Sequence, residues 1–312
     1  MTCTCGGGLI QGVAFGARLL RFRLAVAATG SYSGQRKPRR LTKVIHMAEL
    51  KDDPITVKDL EEFVRSNSDF AFEMQVLAQL RTLGFECSHS GTYRDPVTDK
   101  IRQFDIRAII HKGNSTLALA AECKNLRPNN PLLLSAVPRT EPEAFHDLIV
   151  WNRQKLLVPQ SVWAVTGHKS IYRPGELVGK KTDQVGRDTS NALVSNDEGT
   201  FEKLNQAVNS CQGLVREYAL HSSAGRFRAI VPLLVVPTGL LWQVDYDPDG
   251  KMGKAPHQVT RATLFLNHPW SAEGGFGRIV YRLSHVEFAT LDAVPSVLET
   301  YLAPGGFFGS AG

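Results

Sequence analysis

The sequence predicts an α/β fold, on three observations. Two stretches, 57–66 and 69–83, repeat apolar side chains with helical spacing. Three runs then follow, within 85–93, 101–111 and 116–123, with strand character; the last is nearly continuously apolar, as strands buried on both faces are. Further strand-like runs continue to about residue 283, interrupted by one long helical stretch. A chain of 312 residues can build one large domain or two modest ones, and no stretch has the apolar length of a membrane span.

The elements follow in order. Thr56 is placed to cap the first helix. The second follows Ser68 or Asp69, carries the stripe Phe72, Val76, Leu80 and Leu83, holds Glu73 in its first turn and stops at Gly84. Residues 95–100 (Asp-Pro-Val-Thr-Asp-Lys) read as a turn between the first two strands. Asp105 falls inside the second strand, 101–111, and the third runs from Thr116 to Cys123. Prolines 128, 131, 138 and 142 then predict irregular structure, followed by a helix over Phe145–Leu157 and a strand over Ser161–Thr166. Asp197 or Thr200 caps a long helix to about Tyr218. Ala229–Val236 and Leu240–Asp245 read as strands with Pro237-Thr238-Gly239 as their turn. Strands at 260–266 and 278–283, a closing helix at 292–302 and a loose tail after Pro304 complete the chain.

The formal charge of +6 does not describe the folded part. Residues 1–46 hold eight of the 36 Arg and Lys and no Asp or Glu, which leaves 28 basic against 30 acidic residues. Nucleic-acid affinity must therefore come from local clusters. Three readings of this leader compete: an organelle transit peptide, a nucleic-acid arm, or a segment upstream of a translation start at Met47. The last is favoured because the charge balance changes abruptly at Met47-Ala48-Glu49. Arg18, Arg21 and Arg23 disfavour a secretory signal. Residues 47–312 are expected to form a single domain, with an insertion at about 125–196. Cys3, Cys5, Cys87, Cys123 and Cys211 show neither a CxxC pair nor a repeated spacing. They suggest no zinc site and no disulfide framework, and the expected location is cytoplasmic. His111, His146, His168 and His285 lack ligand spacing and read as non-metal positions.

The chemistry concentrates in residues 69–124. Residues two apart in a strand share a face, so Glu122 and Lys124 point one way and Cys123 the other. If the second and third strands pair antiparallel, Asp105 approaches Glu122. Two neighbouring carboxylates repel unless a cation lies between them, and hard oxygen ligands suit Mg²⁺ or Mn²⁺. A lysine beside that metal can activate water or stabilise charge developing at phosphorus. The bland reading is a solvated Glu-x-Lys face and a buried, hydrogen-bonded Asp105; the combination of all three strand-borne residues with a helical Glu favours the metal site. The polar segment Val178–Arg187 offers Lys180, Lys181 and Arg187 to phosphates and Gln184 to a base edge or the metal, against the reading of an ordinary surface loop. Arg102 and Arg107 flank Asp105, placed either for the scissile phosphate or for nearby acids.

Glu73 in Phe-Glu-Met-Gln-Val, Asp105 in Gln-Phe-Asp-Ile-Arg and Glu122-Cys-Lys124 after Ala-Leu-Ala-Ala together resemble the PD-(D/E)xK, or restriction-endonuclease-like, nuclease superfamily. The specific likeness covers residues 69–126, and Phe104 stands where the motif has Pro. The resemblance implies a mixed central sheet flanked by helices, with an αβββαβ core and additional C-terminal strands. It implies Asp105 and Glu122 as metal ligands with the Cys123 carbonyl as a third, Lys124 as the residue that positions or activates water, and Glu73 as the orienter of a metal-bound water. It implies a magnesium-dependent endonuclease acting on DNA, with RNA cleavage or junction resolution open; no membrane partner is expected from the absence of an apolar span, and a homodimer is left open. The other class is a non-cleaving nucleic-acid-binding or regulatory protein on the same fold.

Overall fold

A capping box opens the first helix. Thr56 Oγ1 accepts the Asp59 amide at 3.3 Å and Asp59 Oδ2 accepts the Thr56 amide at 2.8 Å, at the head of α1 (Val57–Asn67). In the computed structural model, the described residues are 52–95, 98–113, 115–151, 159–165, 171–220, 227–274 and 277–302. The basic leader, His168 and the glycine-rich tail lie outside them, as do residues 96 and 97 of the Asp95–Lys100 turn. In α2 (Phe70–Thr82) the Ser68 hydroxyl accepts the Phe70 amide at 3.3 Å, and Gly84, at φ 87°, ends the helix where a side chain would be strained. Phe72, Val76, Leu77 and Leu80 are its buried stripe.

The next two predicted strands are each broken in two. The pieces are β1 (Glu86–His89), β2 (Thr92–Arg94), β3 (Ile101–Gln103) and β4 (Ile106–Lys112). β1 pairs antiparallel with β4, and β2 with β3. The breaks face each other: the Ser90 amide donates to the Asp105 carbonyl and the Phe104 amide to the Gly91 carbonyl, both at 2.9 Å. Asp105 therefore lies at a bend between strands rather than inside one. β5 (Ser115–Cys123) is as expected, and every residue in it is buried.

After β5 the chain is mostly strand: β6 (Leu132–Pro138) where irregular structure was predicted, β7 (Phe145–Trp151), β8 (Pro159–Val165) close to the predicted strand, β9 (Leu177–Arg187) and β10 (Leu193–Ser195). The prolines behind the irregular prediction fall outside strand interiors: Pro131 precedes β6, Pro138 ends it and Pro142 lies in a 3-10 turn. The predicted helix over Phe145–Leu157 is instead β7, which pairs with β8; a short apolar run rich in Phe, Ile, Val and Trp satisfies either period, and a strand partner decides it. The Val178–Arg187 segment is not a surface loop but β9, held between β6 and β14.

α3 (Glu198–Leu220) matches its prediction, and β11 (Phe227–Val236), β12 (Leu241–Asp245), β13 (His257–Gln258), β14 (Arg261–Gly274), β15 (Gly277–Thr290) and α4 (Val294–Leu302) follow. Pro237-Thr238-Gly239 does turn the chain, with Gly239 at φ 81°, but β11 and β12 do not pair with each other. Instead β11 runs parallel to β5 and β15, and β12 parallel to β6. The result is a mixed sheet in the order β1-β4-β5-β11-β15-β14-β9-β6-β12-β13, flanked by helices. The predicted insertion thus supplies β6 and β9 to the main sheet.

Alternation along β5 divides the interior. Leu117, Leu119, Ala121 and Cys123 join the core under α2 and α4, while Ala118 and Ala120 join the core under α3. That second core also contains Leu132 and Leu134 of β6, Leu241 of β12 and Leu264 of β14, so the twisted sheet curls around the apolar stripe of α3: Leu204, Val208, Cys211, Leu214 and Val215. Among the described residues no helix is long and apolar enough to cross a membrane.

Candidate active site

The crossover from β5 through α3 to the parallel strand β11 fixes where the site lies. A helix returning the chain to a parallel strand starts near the end where the first strand finishes. Glu122, next to last in β5, continues the row of Ala118 and Ala120 on the α3 side and is completely buried. Asp105 reaches the same place from the bend before β4. Its Oδ2 accepts the Cys123 amide at 2.8 Å, and its own amide lies 3.4 Å from Glu122 Oε1. The structure brings the two predicted carboxylates together.

The cation between them is an ammonium that the sequence reading missed. Lys203, in the second turn of α3, donates to Asp105 Oδ1 at 2.8 Å and Oδ2 at 2.6 Å, and to Glu122 Oε2 at 3.4 Å. Burial on its own would lower the Lys203 pKa; Asp105 and Glu122 reverse this and hold it at about 12. Burial and the Asp105 charge push Glu122 well above the ordinary carboxylate range, against the opposing effect of Lys203. One ammonium is thus shared by the completely buried Glu122 and the partly buried Asp105.

The other expected residues lie around this centre in different roles. Glu73 Oε2 is 3.1 Å from His89 Nε2, a contact that ties α2 to β1. Lys124 follows β5, its amide donating to the Val235 carbonyl at 2.9 Å. Its ammonium lies over the first turn of α3: a Cβ placed on Gly199 would come within 2.6 Å of Lys124 Nζ. Asp69, at the head of α2, has its pKa raised by burial, with Lys124, Lys203 and Arg127 acting in the opposite sense and Asp105 reinforcing it. Arg107 leans away, its guanidinium 4.4 Å over the Phe104 ring and bonded to Ser210 of α3. Arg102 pairs with Asp95 and Glu202 at 3.7 and 3.9 Å.

Compared with known proteins, the chain matches no family model, no curated protein and no solved structure.

The predicted phosphate-binding segment is largely committed elsewhere. On β9, Lys180 pairs with Glu143 and Lys181 with Asp183. Gln184 is buried; its amide donates to Asp197 Oδ1 at 2.6 Å and its Oε1 accepts the Thr200 hydroxyl at 2.8 Å, which anchors the start of α3. Arg187 donates to the Asn191 carbonyl at 2.8 Å and lines a groove of about 760 Å³ with Arg127, Asn129, Asn130 and Asn196. Strand pairing, not a surface loop, carries these residues, and a register shift at Lys180 leaves Lys180 and Lys181 both exposed.

The donors gathered here are hard oxygens. Among the described residues no three His, Cys, Asp or Glu side chains converge as a metal cage. Two carboxylates with the Cys123 peptide beside them form a smaller set, of the kind that suits Mg²⁺ or Mn²⁺ when water and substrate oxygens complete the shell. The Lys203 ammonium, within 2.6–3.4 Å of three of these carboxylate oxygens, marks the same place as one that attracts positive charge.

Proposed function

We propose that this protein is a metal-dependent nuclease that hydrolyses phosphodiesters, with DNA as the substrate and endonucleolytic cleavage as the reaction. The observation that carries this reading is the meeting of Asp105 and Glu122 at the C-terminal end of β5, next to Lys124, at the head of the crossover helix α3. The order α2, β1, β4, β5, α3, β11, with three antiparallel strands and a fourth parallel to the third, supports the restriction-endonuclease-like core that the sequence resembles. Asp105 and Glu122 would hold Mg²⁺ or Mn²⁺, whose part in the chemistry is to polarise a phosphoryl oxygen and acidify a water. Lys124 would place its ammonium against the phosphate or the attacking water, and Glu73, held by His89, would orient water from the α2 side. Arg127 and Arg187, lining the adjacent groove, suit the flanking phosphates.

A second reading has its own support. If Lys203 is a permanent partner of the two carboxylates, the same fold binds nucleic acid without cutting it. Cleavage assays separate the two. Wild-type protein is expected to nick or cut plasmid DNA only with Mg²⁺ or Mn²⁺. Lys124→Ala is expected to lower the rate by about 10²-fold or more, the loss typical of removing one charge-stabilising group. Asp105→Asn and Glu122→Gln are expected to weaken metal binding as well as cleavage. Equal residual activity in wild type and Lys124→Ala would remove the site assignment. Parallel duplex, single-stranded, branched and RNA substrates distinguish an endonuclease from a resolvase or ribonuclease.

A further inference from the structure

Lys203 has no part in the reaction proposed above, yet it makes the closest ionic contacts to both carboxylates. Its ammonium bonds three of their oxygens at 2.6–3.4 Å and stands where a divalent cation would have to stand. A metal ion and an ammonium compete for the same carboxylate oxygens, since their charges repel at contact distance. We infer that Lys203 is the resident counter-ion of the Asp105–Glu122 pair and that a divalent cation binds by exchange, displacing its ammonium. This inference rests on the metal-dependent reading.

Three features make the exchange workable. The fold needs a cation there even without metal, because Glu122 is completely buried and faces a second carboxylate. The residue that supplies it is a lysine, a point charge on a four-carbon stem with freely rotating donors; an arginine fork would hold both carboxylates in a fixed bidentate geometry. Its position also gives it somewhere to go. Lys203 follows Phe201 and Glu202 on the first two turns of α3, and these are exposed, so the ammonium has solvent within reach of its own stem. Lys124 does not compete for this role, since its ammonium lies over Gly199.

The test is a Mn²⁺ titration of the full chain by calorimetry, without nucleic acid, on wild type, Lys203→Met and Lys203→Arg, together with metal-free melting curves. Lys203→Met is expected to melt lower without metal and to bind Mn²⁺ about tenfold tighter or more, because no internal cation has to leave. Lys203→Arg is expected to bind about tenfold weaker or worse. Should the Met variant fail to fold, the Arg variant decides alone: an affinity equal to wild type overturns the exchange. Equal affinities in all three proteins overturn the exchange and leave the nuclease reading standing. Absence of Mn²⁺ binding in all three overturns both, so the two failures are distinct.

Discussion

His285 is a single residue with a consequence for the whole protein's response to acid. It is completely buried, its ring stacked on Tyr172 at 3.8 Å and edge-on to Phe265 at 5.3 Å, and neither ring nitrogen has a hydrogen-bond partner. Burial, with Arg139, His146 and Lys180 adding positive charge, pushes its pKa down to about 2, and burial takes His146 to about 4. Both pKa values are depressed by folding from 6.5, so their neutral forms contribute stability above that pH. That stability is lost as pH falls, down to about 4 for His146 and about 2 for His285, at about 1.4 kcal/mol per pH unit for each histidine. His285→Phe keeps the ring contacts and removes one titrating group. Urea unfolding between pH 6.5 and 4 is expected to show a slope about one proton shallower in this variant; unchanged slopes would show that His285 protonates without unfolding. At this same scale Asp105 and Glu122 were legible in the sequence, because a carboxylate next to an apolar run has a high desolvation cost that something must offset. Lys203 was not. A lysine four before Ala207 and seven before Ser210 on a helix reads as a flanking side chain with its charge in water, and only the packing of α3 on β5 turns it inward.

Among the elements, the bent ladder formed by β1–β2 against β3–β4 is the device that aims Asp105. Ser90, at φ 53°, and Phe104–Asp105 break both strands at the same level, so the Asp105 side chain leaves the pleat and meets the end of β5. Gly91 makes the bend possible. A Cβ there would lie 2.3 Å from the Phe104 ring, which is itself buried and covered by the Arg107 guanidinium at 4.4 Å. Gly91→Ala is expected to cost about 1–3 kcal/mol, the range for overpacking a filled site, and to weaken Mn²⁺ binding by shifting Asp105. Calorimetry finding an unaltered affinity in the destabilised variant would separate the bend from the site. The strands themselves were readable from their periodicity, and their breaks were not: nothing in Ser90-Gly91 or Phe104-Asp105 signals a bend until the two are paired. β7 and β9 mislead for a related reason. Phe145–Trp151 fits either period, and the charged, glycine-containing β9 has the composition of a loop until β6 and β14 supply its hydrogen bonds.

The sheet order of the whole molecule depends on pairings between distant segments, such as β5 with β11 and β6 with β12, so local patterns name the strands without naming their neighbours. Those pairings build the two cores on either side of β5 and β11, and they imply an uneven distribution of stability. The backbone of β5 and β11 lies between both cores. α1 lies outside them. Its apolar residues Val57, Leu60, Phe63 and Val64 are 74%, 55%, 56% and 53% exposed, so little burial stabilises its 11 residues. The capping box satisfies end amides without adding burial, and a helix this short is marginal in water on propensity alone. Amide exchange followed by mass spectrometry is therefore expected to find α1 opening with a free energy near zero and β5 and β11 exchanging only through global unfolding. Protection of α1 equal to that of β5 would mean that its apolar stripe is covered in solution. In that case the concentration dependence of the protection identifies a second copy of the chain as the cover, since a homodimer loses that protection on dilution.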